Sequence, residues 1–192
     1  YREVEVVLTR IQQGATKDLV KSIRKEKDKS KRNILKQSLP AICFSGQFTK
    51  RNDASLTEHS GLICLDFDGY TTTKDLLQEK EKISKDGYVY SVFISPSGKG
   101  LKVLIKIPKD SLNHKNYFYS LEKHFNSDYF DRTSKNISRV CYESYDPLIF
   151  INPQSSLWDK IIEQEYTEVS KTQGVVTIPV SDENKIVEIL VK

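Results

Sequence analysis

Ser60-Gly61-Leu62-Ile63-Cys64-Leu65-Asp66-Phe67-Asp68-Gly69 is the stretch from which the rest of the chain can be read. Its apolar run, broken by Asp66, has the length and composition of a buried strand, and Gly69 supplies the turn that ends it. Side chains alternate along a strand, so Asp66 and Asp68 emerge on one face, roughly 6 to 7 Å apart, while Phe67 points the other way into a core. Two like charges so placed are unfavourable unless a cation or a set of donors neutralises them. A divalent metal ion is the simplest neutraliser. The plainer alternative is a strand that ends in two solvated acids.

Upstream, Gly14 closes a predicted helix over residues 3 to 13. A second helix is expected after Thr16, with Leu19, Val20 and Ile23 inward, and a third from Arg32 to Gln37. Ala41 to Phe44 reads as a short strand. Downstream, Thr73 to Ser84 reads as a helix with Leu76, Leu77 and Ile83 on one stripe. Tyr88 to Ile94 and Leu101 to Ile107 flank Ser95-Pro96-Ser97-Gly98-Lys99-Gly100 and form a predicted hairpin. A helix from Leu112 to Phe125, strands over Arg139 to Glu143 and Leu148 to Ile151, and a short helix from Ser156 to Glu163 complete the reading. The order of elements predicts an α+β fold: a mostly antiparallel sheet with helices on one side, in a split βαβ arrangement, preceded by an N-terminal unit. Residues 1–163 are read as one domain, divided into 1–59 and 60–163, and 164–192 as a linker leading into the opening turns of a helix. The chain has no Met, and is expected to be a piece of a longer product.

Composition narrows the function classes. An apolar fraction of 38% with 29% charged residues is ordinary for a soluble globular protein, and no apolar run is of membrane length, so a cytoplasmic protein without membrane contact is expected. Cys43, Cys64 and Cys141 show no metal-ligand spacing, and neither do His59, His114 and His124. The net charge of +4 is unevenly placed. Between Lys21 and Arg51, ten Lys or Arg stand against two acids, a block that suits either a solvated helical face or a nucleic-acid backbone.

Three polar groups of residues sit at the ends of predicted elements. Asp66 and Asp68 are the first. A third carboxylate, Asp131, with Asp128 and Asp146 as neighbouring alternatives, would complete a site able to hold two divalent ions for phosphoryl displacement. The glycine-rich tip is the complementary part: backbone N–H groups of Ser97, Gly98 and Gly100, with Lys99 and Lys102, suit a triphosphate. A plain hairpin turn is the alternative there, and the spacing of a nucleoside-triphosphatase phosphate loop is absent. Arg139 is a further candidate for the phosphates, or a strand residue paired with Glu143.

In this order and on these elements, the chain resembles the archaeo-eukaryotic primase superfamily, and within it the VirE amino-terminal type of primase-polymerase domain found in bacterial and phage mobile elements. The matching motifs are Leu65-Asp66-Phe67-Asp68, Ser97-Gly98-Lys99-Gly100-Leu101-Lys102 and Phe130-Asp131. Leu39-Pro40-Ala41, Phe44-Ser45-Gly46-Gln47-Phe48, Ser138-Arg139 and Ser144-Tyr145-Asp146-Pro147 add to the likeness, which spans roughly residues 5 to 160. The resemblance implies an RNA-recognition-motif-like sheet and template-directed nucleotidyl transfer with Mg²⁺ or Mn²⁺ held by Asp66, Asp68 and Asp131. It also implies NTP or dNTP substrates, a single-stranded DNA template reached by Lys50 and Arg51, and a helicase module or partner. The superfamily's second motif commonly ends in His, and Lys102 stands there, which keeps phosphate binding but not a neutral imidazole. Two alternatives remain: a non-catalytic member that binds nucleic acid or nucleotide, and a haloacid-dehalogenase-type phosphatase, whose nucleophile motif Asp66-Phe67-Asp68-Gly69 with Thr71 also looks like.

Overall fold

In a computed structural model, which describes residues 3–162, the apolar run becomes β4, Leu62–Asp68, the strand on which the other elements assemble. Before it come α1 (Val4–Gln13), α2 (Lys17–Lys25), α3 (Lys29–Gln37), β1 (Ala41–Ile42), β2 (Gly46–Phe48), a 3₁₀ turn (Asp53–Ser55) and β3 (Leu56–His59). After it come α4 (Thr73–Ser84), β5 (Val89–Ile94), β6 (Gly100–Lys106), α5 (His114–Phe125), β7 (Cys141–Tyr142) and β8 (Phe150–Ile151). The fold is α+β. The linker and helix opening read over 164–192 lie outside the described residues.

The main sheet has the order β4-β6-β5-β8, with every neighbouring pair antiparallel. Since β4 and β5 both run against β6, they are parallel to each other and joined through α4, which is the split βαβ connection. On the free edge of β4, Phe67 forms an antiparallel bridge with Phe130. Two backbone bonds hold this edge: Asp68 N–H to Tyr129 O at 2.8 Å and Asp131 N–H to Asp66 O at 2.8 Å.

Alternation along β4 divides the protein into two cores. Ile63, Leu65 and Phe67 face α4 and α5 in the larger one, with Leu101, Val103 and Phe118. Leu62 and Cys64 face the other way, toward Phe93, Leu104 and the α1 stripe Val7, Leu8 and Ile11. The two crossover helices share one face, as expected, and α1 of the N-terminal unit covers the other. Burial of each such side chain stabilises by about 1.5–3 kcal/mol. α1 ends at Gly14, whose φ of 82° suits glycine.

Several boundaries differ from expectation. α3 begins at Lys29, three residues early, because Asp28 caps it by accepting the Lys31 N–H at 2.8 Å. The strands read over Ala41–Phe44, Arg139–Glu143 and Leu148–Ile151 shrink to two residues each. Residues 156–162 form no helix. Trp158 is instead held in extended chain, its backbone N–H on Lys106 O at 2.8 Å and its indole N–H on Ser120 Oγ at 2.6 Å. On α4, Leu77 is 47% exposed and Lys80 is buried with Leu76 and Ile83. The i, i+4, i+7 positions define that face, and residue 77 lies about 100° away from 76.

Burial of Lys80 is possible because its amine reaches Asp146 Oδ2 and Leu148 O, each at 2.6 Å, while Asp146 also accepts the Ile94 N–H at 2.9 Å. Elsewhere His59 and His114 form a buried pair, Nε2 to Nδ1 at 3.1 Å. Gly61 N–H donates to His59 Nδ1 at 3.0 Å, so the proton of His59 sits on Nε2 and is donated to His114. Among the described residues, no helix is long and apolar enough to cross a membrane.

Two predictions arise from these buried groups. Asp146→Ala leaves the buried Lys80 amine without its counter-charge and the Ile94 N–H without its acceptor, and urea unfolding should report a loss of about 3–5 kcal/mol; a loss within 1 kcal/mol (roughly a surface-substitution effect) would show that the pair is dispensable. The His114 imidazole is pushed down to about 4, by burial first and then by His59. An unfolded histidine takes up a proton near pH 6.5, so stability is complete above that pH and falls as pH drops from 6.5 toward 4. The expected loss between pH 7 and pH 5 is about 2 kcal/mol, and His114→Gln should flatten it.

Candidate active site

The β4–β6 register places Asp66 opposite Lys102 and Asp68 opposite Gly100. The Phe130 bridge then lays Asp131 beside Asp66. As a result, carboxylate oxygens of Asp66 and Asp68 from β4 and of Asp131 from a segment distant in the chain all lie within 4.8 Å of one another. Asp128 and Asp146 are not in this group, and Asp146 belongs to the Lys80 pair.

The three acids differ in surroundings. Asp66 is 1% exposed and carries the densest set of partners. Lys102 Nζ donates to its Oδ1, and Arg139 donates to its Oδ2 through Nη2 at 2.7 Å and Nε at 3.2 Å. Arg139 also reaches Asp131 Oδ2 at 3.2 Å, bridging two of the acids. Asp131 Oδ1 accepts the hydroxyl and the N–H of Thr133 at 2.6 and 2.9 Å. Asp68 makes no side-chain ion pair among the described residues and opens to solvent at the end of β4. Its carboxyl is held above the usual range, by burial of its inner side first; Lys102 opposes that rise, and Asp66 and Asp131 add to it. Three carboxylates against two cations leave one excess negative charge, on oxygen donors of the kind that suit Mg²⁺ or Mn²⁺.

The glycine-rich tip is a tight turn more than an open cradle. Gly98 N–H donates to Ser95 O at 2.9 Å, and Ser95 N–H to Gly100 O at 2.8 Å. Gly98 has φ of 71°, a conformation that favours glycine. Gly100 has a different reason to be glycine: a Cβ there would lie 2.0 Å from Asp68 Oδ1 and 2.7 Å from Phe67 O. It makes room for the acid. Ser97 Oγ pairs with Ser95 Oγ at 3.1 Å, and Lys99 is exposed. Of the residues read as phosphate ligands, Lys102 and Arg139 therefore meet Asp66 first, whereas Lys99 is open to solvent. Lys102 is shifted up despite its burial, chiefly through Asp66.

Lys50 and Arg51 do not join the acids. They border a separate cleft of about 840 Å³, together with Phe44, Gly46, Gln47 and Phe48. The basic block contributes other residues nearer the site. Arg24 lies 3.4 Å from where a Cβ of Gly98 would be, and its guanidinium donates to Ser95 O at 3.3 Å and Tyr145 O at 2.8 Å. Asp53 accepts from Ser138 N–H at 3.0 Å and Ser138 hydroxyl at 2.6 Å, which anchors the segment carrying Arg139. Sequence marked the block as basic, but nothing in it distinguished Arg24 from its neighbours.

Comparison with known proteins adds one assignment. A model of the family described as BT4734-like, N-terminal domain, matches residues 34–150, from within α3 to the start of β8, including all three acids and the hairpin. No curated protein and no solved structure matches the chain. Because the match covers more than half of its length, the chain belongs to the BT4734-like N-terminal domain family.

Proposed function

We propose that this domain is a nucleotidyltransferase of the primase-polymerase type, adding nucleotides to a strand on a single-stranded DNA template. The observation that carries the reading is the convergence of Asp66, Asp68 and Asp131 at one end of the sheet, beside a glycine-tipped hairpin. These three residues would hold Mg²⁺ or Mn²⁺. Bound there, divalent ions supply charge stabilisation for the attacking and leaving oxygens of an in-line displacement.

The protein's own groups have separable tasks. Lys102 and Arg139 pair with the two oxygens of the buried Asp66 carboxylate and fix its direction. Asp68, without an ion-pair partner and open to solvent, is the acid most available to an incoming cation. Gly100 keeps the space that the Asp68 carboxylate occupies. Lys99, exposed in the turn, would meet the far end of a phosphate chain in this reading. Lys50 and Arg51, on the separate cleft, are the template contacts in this reading, which makes template binding salt-sensitive and largely independent of sequence.

A second reading is favoured by one observation. Lys102 and Arg139 already neutralise Asp66, so the same cluster could be a structural network in a domain that binds nucleotide or DNA without catalysis. The phosphatase reading fares worse. It needs Asp66 as an accessible nucleophile, and Asp66 is 1% exposed and paired on both oxygens.

Primer-extension assays with Mg²⁺ or Mn²⁺ separate these readings. Asp68→Asn, at the end of β4, should keep the fold and reduce product by at least ~100-fold. Gly100→Ala, which leaves every acid in the chain, should lose product in the same way by displacing Asp68. Equal extension by wild type and Asp68→Asn would reject the metal assignment, and nucleotide or DNA binding without extension by the wild type would favour the non-catalytic reading.

A further inference from the structure

From Lys17 to Gln37, nine Lys or Arg stand against three acids, a net of +6 on α2 and α3 in a chain whose total is +4. The remainder of the chain is therefore net negative. None of the nine cations forms an ion pair among the described residues. Two of the three acids are turned to the backbone: Glu26 accepts the Asp28 N–H at 2.8 Å, and Asp28 caps α3. The apolar residues face inward, with Val20, Ile23 and Leu35 packed against Leu39, Tyr142 and Tyr145. What α2 and α3 present to solvent is an unpaired positive surface.

Contacts place this surface at the carboxylate end of the sheet. Arg24, in the last turn of α2, donates to Ser95 O at 3.3 Å and to Tyr145 O at 2.8 Å, and lies 3.4 Å from where a Cβ of Gly98 would be. The hairpin turn so gripped backs Asp68: Ser95 N–H donates to Gly100 O at 2.8 Å, and a Cβ on Gly100 would collide with Asp68 Oδ1. Lys25 and Lys27 follow Arg24 closely, and Lys21 stands one helical turn before Lys25, about 6 Å along the axis. A nucleic acid engaged at the acids has these cations beside it.

The chemistry of the surface selects its partner. Unpaired bases are held on aromatic platforms, and no aromatic residue occurs between Lys17 and Gln37. A helix lying on a membrane needs several bulky apolar anchors, and Ile34 is the one large apolar side chain fully exposed here. Phosphates on the outside of a duplex need neither, only cations. We infer that the α2–α3 surface grips the sugar-phosphate backbone of double-stranded nucleic acid, the paired end formed by a template and the strand extended on it. The inference rests on the nucleotidyltransferase reading and divides the nucleic acid between two surfaces. The Lys50–Arg51 cleft, with Phe44 and Phe48 in its lining, takes the unpaired template, and α2–α3 takes the duplex.

Fluorescence anisotropy on the chain as it stands tests this with a blunt DNA duplex and an unstructured single strand, beside primer extension by the same preparations. Lys21→Gln, Lys25→Gln, Lys27→Gln and Lys31→Gln, combined, remove four exposed charges whose side chains make no hydrogen bond among the described residues. Duplex binding should weaken about 10- to 100-fold, and its log–log salt slope should flatten by about 3 to 4, since each lysine on a phosphate contributes about 0.9. Single-strand binding should change far less, the unfolding midpoint should match the wild type, and arginine at the same four positions should keep duplex affinity. Lys50→Gln with Arg51→Gln should show the reverse, losing single-strand affinity and sparing the blunt duplex. Unchanged duplex affinity and salt slope in the four-lysine variant overturns this inference alone, and so does an equal loss for duplex and single strand. A fall in the unfolding midpoint that the arginine variant shares shows a structural role for these lysines and also overturns it. Lysine-dependent duplex binding without extension by the wild type supports the surface and overturns the nucleotidyltransferase reading.

Discussion

A carboxylate buried as deeply as Asp66 is costly to desolvate unless partners replace the lost water, and removing one partner of a buried pair typically costs about 3–5 kcal/mol. Here the partners come from two directions. Lys102 reaches across the β4–β6 ladder, and Arg139 arrives from the segment before β7. Meeting this requirement fixes much of the architecture around it. Asp66 O accepts the Asp131 N–H, so the same residue that demands neutralisation also aligns the chain that brings the third acid. Arg139 then ties Asp131 back to Asp66, and Asp53 secures Ser138 beside it. A cluster of like charges is thus assembled without collapse, with Asp68 left as the unpaired member.

The two cores explain why the cluster sits where it does. Along β4 the residues facing α1 run Leu62, Cys64, Asp66, Asp68, so one face of the strand passes from apolar packing to acids over its length. α1 covers the apolar half. At the polar half the α2–α3 hairpin and the Ser95–Gly98 turn meet, joined by Arg24. A one-residue slip of the β4–β6 register would exchange these faces, burying Asp66 among Phe118 and its neighbours. The seven-pair antiparallel ladder without a bulge guards against that slip.

Much of this was legible in the residues. The β4 run, the hairpin and α4 carry strong periodic or β-branched patterns, and they occur with nearly the expected bounds. The three acids were legible because each ends or follows an apolar element, where a charge has few structural reasons to be. What escaped was set by contacts between distant segments. Lys102 looked free for phosphate because its partner, Asp66, is 36 residues away on β4, a strand that reaches β6 only by way of α4 and β5. Gly100 looked like part of a phosphate turn, whereas its need to be glycine comes from Asp68 on the next strand. Trp158 suggested a helix, but Ser120 and Lys106 O hold it extended. His59 and His114 showed no ligand spacing along the chain, and their pairing depends on β3 meeting the start of α5.

The central claim is that Asp66, Asp68 and Asp131 form one cation site and are not merely an ion-pair network closed by Lys102 and Arg139. Anomalous diffraction from crystals soaked in Mn²⁺ tests it most directly. The account predicts manganese density at the cluster of Asp66, Asp68 and Asp131. Saturating Mn²⁺ with no peak at the three acids, and with Lys102 and Arg139 still closing on Asp66, would contradict it.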